Sequence, residues 1–474
     1  MESILESCAP KKHPENIVLR LIDRERHCNR RPGTIRQFYQ TVYPNFTVIN
    51  AEKPPCFIRK FTPDGKFAIA FSSDQSSLEV YRYKGPAAAA DLLQRIGDLD
   101  KPDKTIVDDI KKKIFYRFFE LKHSINITTT EQLNRECSLF SDDGRYVIIG
   151  SASYIPDEIR PHFYEIYTNN EAVTPTMRWH VCGLYPNERA FKDSSINSLK
   201  HRLLTFLHKR ASYISSTTKD PTEVRKFFHY FENFKSLRMW KMQLLDENHL
   251  LVKYASEEVV SMKQTDANSS DPKFFVVYNI TESRVLAVYE NSSAELANLY
   301  ENFTDNFRNA CLHSETQFTC SPSNNTYARL HYRRYRHTIM AAKFGGKAEA
   351  IRRILAYLPI SAQSYTTSPY LDYSLFSYDD KWISLMERPK QCGEHPIRFN
   401  SRGSGYLKFR LYVDNHKNVG STARRLVAFT FHPTDPFAVS VQRTNSEYIV
   451  NFHVRCDNQN PDFNRYDVNQ YSCL

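Results

Sequence analysis

The sequence predicts a mainly β fold, a WD40-like β-propeller with α-helical insertions and a docking helix at its N-terminus. Three observations lead there. First, one phrase recurs: an apolar strand ending in Phe, an acidic turn, and a second apolar strand. Its copies begin at Phe61 (Phe61-Thr62-Pro63-Asp64-Gly65-Lys66-Phe67), Phe140, Phe376 and Phe431. Self-similarity of this kind marks one supersecondary unit used repeatedly. Second, a third strand, Leu78-Glu79-Val80-Tyr81, follows the first copy behind the polar turn Ser73-Asp74-Gln75-Ser76, which is how a propeller blade reads. Third, the strand period gives way twice to a helical one, which places insertions between blades. The alternative is a few unrelated hairpins in a β-sandwich, which four phrases sharing residue types and order disfavour.

Residues 1–35 read as a basic arm. Asn16 is a helix cap and Pro32-Gly33 a stop, and Ile17, Val18, Leu21 and Ile22 fall on one side of the helix between them. Arg20, Arg24 and Arg26 lie elsewhere on it. A helix this short is marginal alone in water, so its apolar face must dock, on its own domain or in a partner's groove. Residues 36–192 hold the first propeller blades; Asp64-Gly65 supplies the left-handed backbone of a tight hairpin, and Lys111-Lys112-Lys113 reads as a solvated face. Residues 193–241 form a helical insertion, with Ile196, Leu199, Leu203, Phe206 and Leu207 at helical spacing and a second helix through Val224, Phe227, Phe228, Phe231 and Phe234.

Blade character returns over 242–292, with Asp246-Glu247-Asn248 at the hairpin turn. A second helical insertion spans 293–360. Leu296, Leu299, Tyr300, Phe303 and Phe307 make one face there, and Ala348, Ile351, Leu355 and Leu358 another. Between them lies a basic cluster, Arg329, Arg333, Arg334 and Arg336, interleaved with Tyr327, Tyr332 and Tyr335. Such a cluster binds nucleic acid or a phosphorylated partner, or else lays its arginine stems over apolar surface. The last propeller blades occupy 361–456, and 457–474 is a polar tail expected to be disordered.

At 474 residues and 41% hydrophobic content the chain exceeds one ordinary core. Its formal charge of +11 favours acidic partners: nucleic acid, acidic protein faces or anionic membrane. The ten cysteines are scattered singly, without Cys-x-x-Cys pairs, so neither a zinc site nor a disulfide framework is signalled, and a reducing compartment is expected. No phosphate loop, nucleophile elbow, dinucleotide fingerprint or zinc-protease motif is present; Gly345-Gly346-Lys347 lacks the flanking residues of a phosphate cradle. His162, His395 and His432 read as structural, and Cys56 and Cys137 as buried thiols. A binding scaffold rather than an enzyme is expected, with no catalytic, metal or cofactor residues.

Several long phrases carry a resemblance. Among them are Tyr43-Pro44-Asn45-Phe46-Thr47-Val48, Leu133-Asn134-Arg135-Glu136-Cys137-Ser138-Leu139-Phe140, Ile196-Asn197-Ser198-Leu199-Lys200-His201 and Met239-Trp240-Lys241-Met242-Gln243-Leu244. Leu358-Pro359-Ile360-Ser361-Ala362-Gln363 and Val441-Gln442-Arg443-Thr444-Asn445-Ser446 complete the set. The chain resembles the De-etiolated-1 family of light-signalling repressors, from about the N-terminal helix to Arg455. That resemblance implies a subunit of a cullin-4-type ubiquitin ligase, located in the nucleus, that promotes degradation of transcription factors. The implied partners are the damage-specific DNA-binding protein adaptor, a small associated protein, the constitutively photomorphogenic RING ligase, and a ubiquitin-conjugating enzyme or its inactive variant. Histone tails are a further implied partner, in keeping with an alternative reading as a chromatin or nucleic-acid binder. Asn16, Arg20, Leu21, Arg24 and Arg26 match the family's N-terminal helix, the implied adaptor-docking element.

One departure stands out. After Val173-Thr174-Pro175 the family continues through further strands, whereas here an unmatched stretch, Met177 to Ser194, leads straight to the helix at Ile196. The missing portion is about two blades at ~40–45 residues each, which would open a ring or close it with fewer blades.

Overall fold

The computed structural model describes residues 38–97, 104–126, 131–140, 147–153, 196–230, 233–234, 237–256, 273–282, 284–307, 333–334, 336–341, 345–356, 358–359, 368–378, 396–411, 425–443 and 447–456. Among them the fold is mainly β, in five antiparallel sheets. The first sheet runs β2 (Cys56–Phe61), β3 (Phe67–Ser72), β4 (Ser77–Tyr83) and β5 (Phe119–Asn126), each strand paired with the next. A two-stranded second sheet holds β6 (Glu131–Phe140) and β7 (Val147–Ser153). The third repeats the four-stranded plan with β8 (Leu237–Leu244), β9 (His249–Ser256), β10 (Phe274–Asn279) and β11 (Arg284–Glu290). In the fourth, β12 (Phe376–Ser377), β13 (Arg398–Ser401) and β14 (Leu407–Arg410) are paired in order.

The closing sheet joins the two ends of the fold. Its strands β15 (Arg425–Phe431), β16 (Phe437–Arg443) and β17 (Tyr448–Val454) take as their fourth neighbour β1 (Phe46–Ala51). Phe46 lies opposite Val454 and Val48 opposite Phe452. The side chains of Phe46, Val48, Phe452 and Val454 thus enter one buried layer, because residues two apart share a face of a strand.

Three of the four Phe-led phrases form the expected hairpins, β2–β3, β6–β7 and β15–β16. Phe376 heads β12, but the strand expected at Trp382-Ile383-Ser384 lies outside the described residues, and β12 pairs instead with β13. The turns have a common chemistry. Asp64 accepts from Thr62 Oγ1 at 2.6 Å and from the Lys66 amide at 3.2 Å, while Gly65 takes φ +73°. Asp246 accepts from the amides of Asn248 and His249, both at 2.8 Å. A short carboxylate satisfies its own turn's amides, which is why Asp recurs at these positions.

Neighbouring sheets meet through apolar clusters. Phe61, Ala68 and Tyr83 of the first sheet pack with Phe437, Val439 and Phe452 of the closing sheet. On its other side, Ile69, Phe71 and Leu78 meet Leu133, Phe140 and Ile149 of the second sheet. Leu139 continues into a cluster with Met242, Leu250 and Val252 of the third. Phe376, Phe399 and Phe409 of the fourth pack with Leu426, Phe429 and Phe431 of the closing sheet. Among the described residues no such cluster joins the third sheet to the fourth. The other face of the third sheet, through Leu251 and Phe275, is covered by α5 (Ala294–Asn302) and α7 (Gly346–Leu355).

Other helices follow α1 (Ala90–Gly97) and α2 (Lys104–Phe118), which pack on the first sheet. Ile110, Ile114, Phe115 and Phe118 of α2 are buried, while Lys111 and Lys113 pair with Asp108 and Asp109 on the solvated side, as the lysine run predicts. The first insertion is a helical hairpin, α3 (Ile196–Thr218) and α4 (Thr222–His229). In the second, Ser293 caps α5 by accepting the Leu296 amide at 3.3 Å, and α6 (Thr304–Phe307) follows. Two expected core positions are corrected: Phe303 ends α5 facing solvent, and Ala348 is exposed in the first turn of α7, where Ala350 and Ile354 are buried instead. The helical period holds in both cases, but the short helices shift which positions lie inward.

Candidate functional site

The expected docking helix, Asn16, Ile17, Val18, Arg20, Leu21, Ile22, Arg24 and Arg26, lies outside the described residues, as does the tail 457–474. The root from which it springs is described. A helical turn at 38–41 leads into Tyr43 and Asn45, and this segment is clamped where the fourth and closing sheets meet. Tyr39 packs edge-on to Tyr370 at 5.9 Å between ring centroids, and Tyr43 stacks on Phe409 at 6.4 Å. The Tyr370 hydroxyl donates to the Val42 carbonyl at 2.7 Å, and Gln40 Nε2 to the Leu375 carbonyl at 3.2 Å. Asn45 and Cys456 bond reciprocally: Asn45 Nδ2 donates to the Cys456 carbonyl at 2.9 Å, and the Cys456 amide to Asn45 Oδ1 at 2.8 Å. Whatever the arm binds is therefore tied to a packed part of the fold by aromatic rings and directed hydrogen bonds.

The basic cluster is divided. Arg329 lies outside the described residues; Arg333 and Arg334 are exposed. Arg336 is half-buried, with Nη2 2.5 Å from Glu301 Oε1, so its charge is met within the chain. Of the three described arginines, Arg333 and Arg334 are exposed and Arg336 is paired with Glu301. Glu301 is what the sequence reading missed: it belongs to α5, a different helix, and no spacing rule along the chain points to it.

A polar constellation that sequence reasoning did not single out lies inside the closing sheet. His453 Nδ1 is 3.0 Å from Thr47 Oγ1, and its Nε2 is 2.8 Å from Ser440 Oγ. Asn451 Nδ2 donates to Gln442 Oε1 at 3.1 Å, and its Oδ1 accepts the Asn50 amide at 3.1 Å. These groups occupy the face of β16 and β17 opposite the apolar layer, and the signal was present as the period-two alternation Ser440/Gln442 and Asn451/His453. A serine against an imidazole is the first half of a nucleophilic dyad. Here Ser440, Gln442, Asn451 and His453 are all buried, and a threonine rather than a carboxylate faces Nδ1. Burial pushes the His453 imidazole down to about 3, so it is neutral and holds β1, β16 and β17 together.

A second buried histidine bridges two sheets. His432, in the β15–β16 turn, lies with Nε2 2.9 Å from the Gly65 carbonyl in the β2–β3 turn, while its Nδ1 accepts the Thr434 and Asp435 amides at 3.2 and 2.8 Å. Two amides on Nδ1 leave the proton on Nε2, so Nε2 donates to Gly65. Burial lowers its pKa, against Asp435 and Asp64 nearby. The structural role expected for His432 is the one observed. Cys56 is likewise a buried thiol, in β2; burial raises its pKa to about 12, well above the reach of neutral pH. Among the described residues no group of three His, Cys, Asp or Glu is arranged to hold a metal ion.

Comparison with known proteins adds the family. The model of the De-etiolated protein 1 family matches residues 135–185 and 180–456. The light-mediated development protein of tomato (Solanum lycopersicum) is 26% identical over 536 residues, covering 93% of this chain and 99% of its own. That of Arabidopsis thaliana is 25% identical over 524 residues, covering 89% of this chain and 95% of its own. No solved structure matches the chain. The two matched pieces meet at 180–185, inside the stretch 177–194 where the sequence departs from the family pattern. Continuous on either side of that break, the match extends over more than half of the chain, which belongs to the De-etiolated protein 1 family.

Proposed function

We propose that the protein is a non-catalytic scaffold and substrate receptor of a cullin-4-type ubiquitin ligase. In this reading the five sheets stand in a ring, as WD40-like blades, and the arm ahead of Phe38 plugs a helix into the damage-specific DNA-binding protein adaptor. The small associated protein, the constitutively photomorphogenic RING ligase and a ubiquitin-conjugating enzyme assemble on the same scaffold in the nucleus, and transcription factors are the proteins degraded. The observation that carries the reading is family membership. Two structural features agree with it. Four successive seams between sheets are apolar, from the fourth through the closing, first and second to the third. The first strand completes the last sheet, the arrangement by which a propeller leaves no loose edge at its join.

The docking helix would fill an apolar channel with Ile17, Val18, Leu21 and Ile22, while Arg20, Arg24 and Arg26 meet acidic residues on its rim. The test is pull-down of the full chain from nuclear extract with quantitative mass spectrometry. The adaptor should co-purify, and Leu21→Asp should abolish its recovery. Equal recovery by the variant refutes the docking role.

A further inference from the structure

The fourth sheet has two unlike faces. Its apolar face, with Phe376, Phe399 and Phe409, packs on the closing sheet. Residues two apart share a face of a strand, and residues directly opposite share it across strands, so the pairing fixes what the other face carries. Arg398 of β13 lies opposite Arg410 of β14, and Ser377 of β12 lies opposite Asn400 of β13. That register is held from behind, where Phe399 and Phe409 are also directly opposite and stack at 4.4 Å between centroids and 6° between planes. The polar face therefore presents two guanidinium groups, a carboxamide and a hydroxyl. Both arginines are exposed, while Asn400 and Ser377 are half-buried.

Like charges directly opposite on neighbouring strands destabilise a sheet. Elsewhere in this chain such pairs lean on an aromatic ring. Lys241 and Lys253 face each other in the third sheet, and both stand over Trp240, at 6.0 and 4.9 Å. Arg443, opposite Arg425 in the closing sheet, stands over Tyr448 at 5.7 Å. Other exposed cations meet a carboxylate, as Lys122 meets Glu120 and Arg284 meets Glu282. Among the described residues Arg398 and Arg410 have neither ring nor carboxylate. Lys408, also on β14, is turned aside, with Nζ 5.1 Å over the Tyr43 ring. Two guanidinium groups are thus set opposite each other by the pairing, at a cost to the sheet that a bound anion would remove.

We propose that this face of the fourth sheet binds a phosphoserine or phosphothreonine of another protein, with Arg398 and Arg410 sharing the phosphoryl group and Asn400 and Ser377 as neutral donors beside it. A phosphoryl group carries about two negative charges at neutral pH, which matches two arginines; a carboxylate carries one. Guanidinium groups also meet phosphate oxygens bidentately. A nucleic acid would instead need a row of cations along its phosphates and, when single-stranded, rings on which its bases stack. The strand positions of this face hold no aromatic residue. The site is separate from the arm, so it stands or falls apart from the ligase reading.

The test uses the full chain and fluorescence anisotropy with four labelled probes. They are a Gly/Ala dodecapeptide with one central phosphoserine, the same peptide with Ser or with Glu at that place, and a single-stranded DNA dodecamer. The phosphopeptide should bind tightest, and Arg410→Gln should weaken it about tenfold or more. Arg398→Glu should abolish its binding and at the same time raise the thermal midpoint, because the new carboxylate pairs with Arg410 across the strands. Leu21→Asp should leave phosphopeptide affinity in place. The proposal is overturned by absence of phosphopeptide binding at millimolar concentration, by equal affinity for the phosphorylated and plain peptides, or by tighter binding of the DNA. Undiminished affinity in Arg398→Glu or Arg410→Gln overturns it as well.

Discussion

Replacing Gly65 by Ala separates two costs that usually arrive together. Gly65 and Gly405 have the same φ, +73°, but different surroundings. A Cβ built on Gly65 lies 2.5 Å from Cε1 and Nε2 of His432, whereas one on Gly405 meets nothing within 4 Å. Both alanines carry the left-handed penalty of roughly 1–2 kcal/mol, partly offset by about 0.4–1 kcal/mol from the stiffer unfolded chain. Only at position 65 must the imidazole also move. It cannot move freely, because Tyr83 and Phe61 stand 4.7 and 5.0 Å from its centroid and two amides hold Nδ1. Displacing it forfeits a hydrogen bond of about 1 kcal/mol and adds overpacking of about 1–3 kcal/mol. Gly65→Ala should therefore destabilise by ~2–4 kcal/mol more than Gly405→Ala, read as a shift of the urea unfolding midpoint. A hydrogen-exchange experiment should place the extra loss in β2, β3, β15 and β16. Equal losses in the two variants would refute the claim that His432 is wedged against the first sheet.

Further outcomes follow from the buried titratable groups. His453 is neutral when folded, with its pKa pushed down to about 3, and regains an ordinary value near 6.5 when unfolded. The folded state then binds fewer protons, so its contribution is intact above pH ~6.5 and is lost by about 1.4 kcal/mol per pH unit as pH falls from 6.5 towards 3. His453→Gln should flatten that part of the stability–pH profile, and an unchanged slope would show that the imidazole is solvated. The Cys56 thiol, buried and raised to about 12, should resist iodoacetamide at pH 8 in the native protein and react on addition of denaturant. Alkylation of Cys56 at the rate of a free thiol under native conditions would contradict its burial in β2.

Local chemistry made much of this fold legible. Asp64-Gly65 and Asp246-Glu247-Asn248 announce their hairpins because each turn carboxylate accepts amides at fixed offsets, joined in the first by a left-handed glycine, and neither depends on distant parts of the chain. The lysine run of α2 and the helical period from Ile196 were equally local. What was not legible rests on contacts between residues far apart. The pairing of β1 with β17 leaves no trace in either strand alone, since Phe46–Ala51 would pair with any suitable edge. Glu301 neutralises Arg336 from a separate helix, so the arginine cluster looked more cationic in sequence than it is in space. The His453 network was visible as alternating polar residues, but only a known neighbour for that face distinguishes a buried seam from a wet one.

The bond between Asn45 and Cys456 spans 411 residues of sequence. During synthesis at about 5–20 residues/s, the β1 segment emerges ~20–80 s before its partner exists. Its apolar residues, Phe46 and Val48, are without their final cover for that whole interval. A premature stop anywhere before β17 would make the orphaned interval permanent. Nascent and truncated forms of this chain should accordingly be chaperone clients, and attaching a bulky tag near Phe38 would burden the same junction at which translation finishes the fold.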